Sequence, residues 1–153
     1  MIMNTEIKAL DLTKRPPRSP RVRLGELVIL PRMLDKGRAT IAGTVGEYHY
    51  DCPLDSNVKG FLDFDADGLK AQLAAGAGDG EALAWVLANG KNKRSAVEIA
   101  AWSDYMERTA PGDPGLRGFL QEAQGEIAPD RADIHTLFDL LDLDDHVTFG
   151  GKP

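Results

Sequence analysis

Helix start and stop signals recur along this chain, and they constrain its fold more than any other feature. Pro31 suits the first turn of a helix, followed at helical spacing by Leu30, Met33, Leu34, Gly37 and Ile41, with Gly43 as a stop. Pro53 opens a second helix with Val58, Phe61 and Leu62 on one face. Asp65 caps a third, running to about Ala75, and Asp79 a fourth, carrying Leu83, Val86 and Leu87 and ending near Asn89-Gly90. Ser95 and Glu98 form a capping box ahead of Ile99, Trp102 and Met106. Asp113-Pro114 starts a helix carrying Leu116, Phe119 and Leu120, and Asp133 starts the last, with Ile134, Leu137, Phe138 and Leu141 facing inward.

Strand signals are nearly absent. Tyr48, Tyr50 and Cys52 alternate with His49 and Asp51, which predicts at most one short strand-like segment or tiny hairpin arm. The expectation is an all-α fold, a compact multi-helix single domain over residues 1–153. Residues 1–24 are a Pro/Arg-rich extended arm, and 25–153 are the helical body. Gly37 in mid-helix costs about 1 kcal/mol against Ala and predicts close approach by another backbone. Arg32 and Lys36 share a helix face, and Asp35 is placed to pair with Arg32.

The arm contains Pro16, Pro17 and Pro20, which forbid a regular helix and favour polyproline II. Its three-residue repeat places Arg15, Arg18 and Arg21 on one edge, about 9 Å apart. Such a row either straps the arm onto an acidic face or receives an anionic partner. Asp139, Asp142, Asp144 and Asp145, at the end of the last predicted helix, are an available answer.

The net charge of −6 is unevenly laid out. Residues 1–50 carry nine basic and five acidic side chains, and residues 119–153 carry two and eight. A pI of 5.0 weighs against nucleic acid as a partner. No apolar run approaches the ~20 residues of a membrane helix, so no membrane association is expected. With no leader-like start and a single cysteine, the expected compartment is a reducing cytoplasm.

Several blocks resemble a known family. They are Asp11-Leu-Thr-Lys-Arg-Pro-Pro-Arg-Ser-Pro-Arg21, Leu30-Pro-Arg-Met-Leu-Asp-Lys-Gly-Arg-Ala39 and Glu47-Tyr-His-Tyr-Asp-Cys-Pro-Leu-Asp55. Arg94-Ser-Ala-Val-Glu-Ile-Ala-Ala-Trp102 and Phe138-Asp-Leu-Leu-Asp-Leu-Asp-Asp145 extend the likeness over nearly the whole chain. The chain is similar to the small bacterial family called domain of unknown function 5069. That resemblance implies a stand-alone bacterial cytoplasmic protein and carries no activity, cofactor or catalytic residue.

Function has two competing readings, and whether the chain is an enzyme is open between them. The leading one is a non-enzymatic binding or interaction module that recognises an acidic small molecule or protein through Arg15, Arg18, Arg21, Arg32, Lys36 and Arg38. The alternative is a small thiol-dependent enzyme or redox protein centred on Cys52, with Tyr48, Tyr50 and Asp55 beside it. Cys52 precedes Pro53 near a helix start, where backbone N–H groups and the dipole favour a thiolate, and Lys36 or Arg38 could approach from the preceding helix. Against the thiol reading stands a cysteine that only packs.

No cofactor or metal is expected. Asp63-Phe-Asp65-Ala-Asp67-Gly68 imitates half a calcium loop, but Ala74 stands where the twelfth-position Glu belongs, so Asp65 reads as a cap. Gly76-Ala-Gly-Asp-Gly80 follows a helix rather than a strand and reads as a turn, not a phosphate loop. His135 and Asp139 offer two ligands at i,i+4 at most. Oligomeric state is not legible.

Overall fold

The computed structural model describes residues 7–109 and 114–153. Seven helices are defined there: α1 (Leu30–Ala42), α2 (Asp55–Leu62), α3 (Ala66–Ala74), α4 (Asp79–Asn89), α5 (Ala96–Arg108), α6 (Pro114–Ile127) and α7 (Leu137–Thr148). No strand occurs among the described residues, only an isolated bridge between Leu24 and Leu27. No described helix is long and apolar enough to cross a membrane.

Helix α1 is the centre of the fold. Pro31 sits in its first turn, and Gly43 closes it in the left-handed region at φ 77°, where its N–H reaches the carbonyls of Ala39 and Thr40. Nine of its thirteen residues are buried, charged Arg32, Asp35 and Lys36 among them. Packed against it are α2 and α3, while α3 meets α4 and α6 meets α7. Leu30, Met33, Leu34, Val58, Leu62, Leu69, Leu73, Val86 and Phe138 form one continuous core. At full burial each such side chain contributes about 1.5–3 kcal/mol. Gly37 is a place of close approach, although the neighbours are side chains rather than backbone. A Cβ there would come within 2.7 Å of Leu73 and 3.0 Å of the Tyr50 ring.

The arm lies antiparallel along α1. Leu12 N–H bonds the Thr44 carbonyl beyond the helix end, and Ile29 N–H bonds the Pro20 carbonyl before its start. Between those bonds the arm is not one polyproline run as expected: it turns at residues 12–15, where the Lys14 and Arg15 N–H groups bond the Asp11 carbonyl. Ile29 adopts φ 73°, which costs a β-branched residue about 1–3 kcal/mol. Its fully buried side chain, its bond to Pro20 and its carbonyl bond from Met33 hold it there.

Local signals mark most helix starts. Asp65 accepts Gly68 N–H at 3.0 Å, and Ser95 with Glu98 forms the expected capping box. Four expectations change. Helix α2 starts at Asp55, two residues after Pro53. Gly78, not Asp79, is the N-cap of α4, because the Asp79 carboxylate is drawn to two arginines. The last helix begins at Leu137 rather than Asp133, because Thr136 and Asp139 form the capping box while Asp133 pairs with Arg131 at 2.7 Å. His135 therefore lies before α7, where its N–H donates to Asp139. Phe119, carried on α6 as expected, is 58% exposed. Asp113 lies outside the described residues, and so does the side chain of Leu116.

Candidate functional site

Four cations on or beside α1 meet carboxylates of α1, α2, α4 and α7. Arg18 reaches both Asp35, at 2.9 Å, and Asp79 of α4, at 2.7 Å. Arg38 takes the other oxygen of Asp79 at 2.8 Å. Arg32 forms a two-pronged pair with Asp145 of α7, at 2.7 and 3.2 Å. Lys36 lies 3.0 Å from both carboxylate oxygens of Asp55. Asp35 thus pairs with Arg18 rather than Arg32. The α1 face is enclosed, so each charge is matched by an opposing element rather than by a neighbour three residues away.

The arginine row of the arm is split. Arg18 turns to α1 and α4, whereas Arg21 turns to α7, where it pairs with Asp139 and with Asp142 at 3.0 Å, 5.9 Å over the Phe138 ring. Ser19 donates to Asp142 at 2.7 Å. Arg15 is exposed. The acidic end of the chain is thus answered from inside: Asp139 and Asp142 by the arm, Asp145 by α1.

Residues 43–54 wrap over the Arg32–Lys36 face. Gly46 at φ 60° and Asp51 at φ 59° turn the backbone left-handed twice, which breaks the alternating segment and leaves turns instead of a strand. Tyr48 and Tyr50 consequently part company. The Tyr48 ring lies 5.5 Å from the Arg32 guanidinium, and its hydroxyl donates to Asp145 at 2.7 Å. Burial, then the Asp145 carboxylate, raises the proton affinity of that phenol. Tyr50 donates to the Ala66 carbonyl at 2.7 Å and packs on Gly37, away from Tyr48.

Cys52 sits where this wrap meets α1. Lys36 Nζ donates to its Sγ at 3.1 Å while also contacting Asp55, so cysteine, lysine and carboxylate stand in line. Asp55 is wholly enclosed and accepts Asp51 N–H at 2.9 Å. Burial raises its proton affinity, and Lys36 opposes that rise. Half-buried Cys52 opens onto a cleft of about 280 Å³, lined also by Arg32, Lys36, Glu47, Tyr48, His49, Leu54, Leu141, Asp144 and Thr148. Asp144 on that wall binds its proton more tightly than an ordinary aspartate, through burial and then the nearby Asp145 charge.

Of the residues expected around the thiol, the structure brings Tyr48, Asp55 and Lys36 to it and takes Tyr50 away. Leu141 and Asp144 of α7 were not foreseen there, nor was Asp145, which meets Tyr48 and Arg32. Asp145 carried a usable signal: it falls at i,i+7 from Phe138 and i,i+4 from Leu141, an acid in an apolar stripe. Among the described residues, no three of His, Cys, Asp and Glu are grouped to hold a metal ion.

No curated protein matches the chain. Residues 14–147 match the family described as "Domain of unknown function (DUF5069)", a span covering the strap, the wrap, Cys52 and the Arg32–Asp145 pair. The chain belongs to that family.

Proposed function

We propose that this protein carries a thiol-dependent reactive site, with Cys52 as nucleophile, Lys36 as the cation that favours its thiolate, and Asp55 as the group that fixes Lys36. The contact between Lys36 Nζ and Cys52 Sγ at 3.1 Å carries the reading. A nucleophile, a partner within hydrogen-bond reach and a third group orienting that partner are the recurring parts of an activated side chain. An ammonium beside sulfur favours the nucleophilic thiolate. The cleft beside Cys52 gives an electrophile access, with Leu54 and Leu141 as apolar wall and Tyr48 and His49 as polar wall.

Recognition of an acidic partner through the basic residues has less support. Arg18, Arg21, Arg32, Lys36 and Arg38 each meet a carboxylate of this chain at 3.0 Å or closer. Such a partner would have to displace those carboxylates, and Arg32 and Lys36 are almost wholly enclosed.

The test is the rate at which iodoacetamide alkylates Cys52 in the folded chain at pH 7. Wild type should react at least ~10-fold faster than a free thiol, and Lys36→Met should remove that advantage. Asp55→Asn, which keeps the side-chain shape, should reduce it in part. A wild-type rate no greater than that of glutathione, or a Lys36→Met rate equal to wild type with helical circular dichroism retained, overturns the proposal.

A further inference from the structure

Cys52 is the only cysteine in the sequence, so no intramolecular disulfide can protect it once it is oxidised. One other nucleophile stands against it. Lys36 Nζ is 3.1 Å from Sγ, and its side chain is only 3% exposed, so the amine cannot swing out into solvent. Asp55 also holds it, at 3.0 Å. Cys52 lines the cleft of about 280 Å³, which has room for a peroxide molecule.

We infer that Lys36 and Cys52 form an oxidative cross-link site, in which hydrogen peroxide drives closure of a sulfur–nitrogen bond between the two side chains. In the first step the Cys52 sulfur attacks one peroxide oxygen. The O–O bond breaks, the leaving hydroxide takes up a proton as water, and the cysteine becomes a sulfenic acid. In the second step Lys36 passes one proton to the Asp55 carboxylate, and its neutral nitrogen attacks the sulfur. The S–O bond breaks, and the hydroxide leaves as water with a proton from that nitrogen. Thiol, amine and one peroxide give a sulfenamide and two waters, with sulfur giving up two electrons and peroxide accepting them. The buried Asp55 is suited to hold the proton, since its surroundings favour the neutral carboxyl.

The link joins α1 to the turn ahead of α2 and hides the nucleophile until a thiol reductant reopens it. It spares Cys52 the irreversible sulfinic and sulfonic stages. This inference rests on the thiol reading in needing a nucleophilic sulfur, but it requires no catalysis.

The test is intact-mass analysis and tryptic mapping of the full chain after exposure to hydrogen peroxide. A loss of about 2 Da is expected, with one Lys36–Cys52 linked peptide pair, both reversed by dithiothreitol. Lys36→Arg keeps the charge without an attacking amine and should instead gain about 16 or 32 Da at Cys52. Asp55→Asn should slow closure several-fold more than it slows the first oxidation. Oxygen added to wild-type Cys52 with no linked peptide overturns the inference, and so does the same mass loss in Lys36→Arg. If the thiol is alkylated rapidly yet never links, this inference falls alone; if it resists both iodoacetamide and peroxide, the thiol reading falls with it.

Discussion

At single positions, the consequences are set by how completely each side chain is enclosed. Asp55 and Lys36 are a buried pair, and breaking such a pair by removing one member costs about 3–5 kcal/mol, because the remaining charge is stranded. Asp55→Leu should therefore lower the urea midpoint sharply, and Lys36→Met/Asp55→Leu should recover much of the loss. A double variant as unstable as the sum of the singles would show that the two charges are not coupled. Gly37→Ala is a second sensitive point. Alanine improves helix propensity by about 1 kcal/mol, but the added methyl meets Leu73, which is buried, and Tyr50, whose hydroxyl is tied to Ala66. Overpacking at about 1–3 kcal/mol should win, giving a net loss in chemical denaturation. The sequence marked Gly37 as a place of close approach because a mid-helix glycine needs a reason. It could not say that Tyr50 was the neighbour, since that depends on two left-handed turns at Gly46 and Asp51.

Helices were readable where their ends are made by residues three or four apart. The Ser95–Glu98 box is such an end, and Ser95→Ala should cost about 1 kcal/mol and fray the first turn of α5, seen as faster amide exchange there. The start of α7 was misplaced because two capping residues compete within four positions, and the choice of Thr136 follows from the pairing of Asp133 with Arg131 and the distant pull of Arg21 on Asp139. Phe119 fell on the expected face of α6 yet is exposed, because a stripe predicts which residues share a side, not what covers it. Strapping was harder to read still. The charge layout announced a basic arm and an acidic end, but the choice of Arg21 for α7 and Arg18 for α1 and α4 lies in the antiparallel run of the arm along α1. Arg21→Gln should loosen α7 by about 1 kcal/mol, lowering the melting temperature by about 3 °C and raising exchange in α7 above that in α3.

Over the whole molecule these pairs set the response to acid. Arg18 first, and then Arg38, hold Asp79 down to about 2, against partial burial. A carboxylate depressed in the folded state adds stability above its unfolded value of about 4, and loses it as pH falls through its folded value. Asp79 should thus contribute about 1 kcal/mol at pH 5, after allowance for solvent screening, and nothing well below pH 2. Asp139 acts in the same direction: burial pushes its proton affinity up, but the N–H groups of His135 and Thr136 outweigh it. Asp55 acts oppositely, since burial raises its folded value and acid relieves that burden. Thermal melts from pH 5 to pH 2 should show a steep loss in wild type and a shallower one in Asp79→Asn, which should also be weaker at pH 5. Parallel curves would contradict the assignment. The same strap bears on how the protein is made. Arg21 and Asp142 are 121 residues apart, so the arm is made well before its partners on α7. Loop closure over that distance is slow and entropically costly. In a growing chain Arg18 can meet Asp35 after 17 further residues, whereas Arg21 must wait 121 for Asp142, so the two halves of the strap fasten at different times.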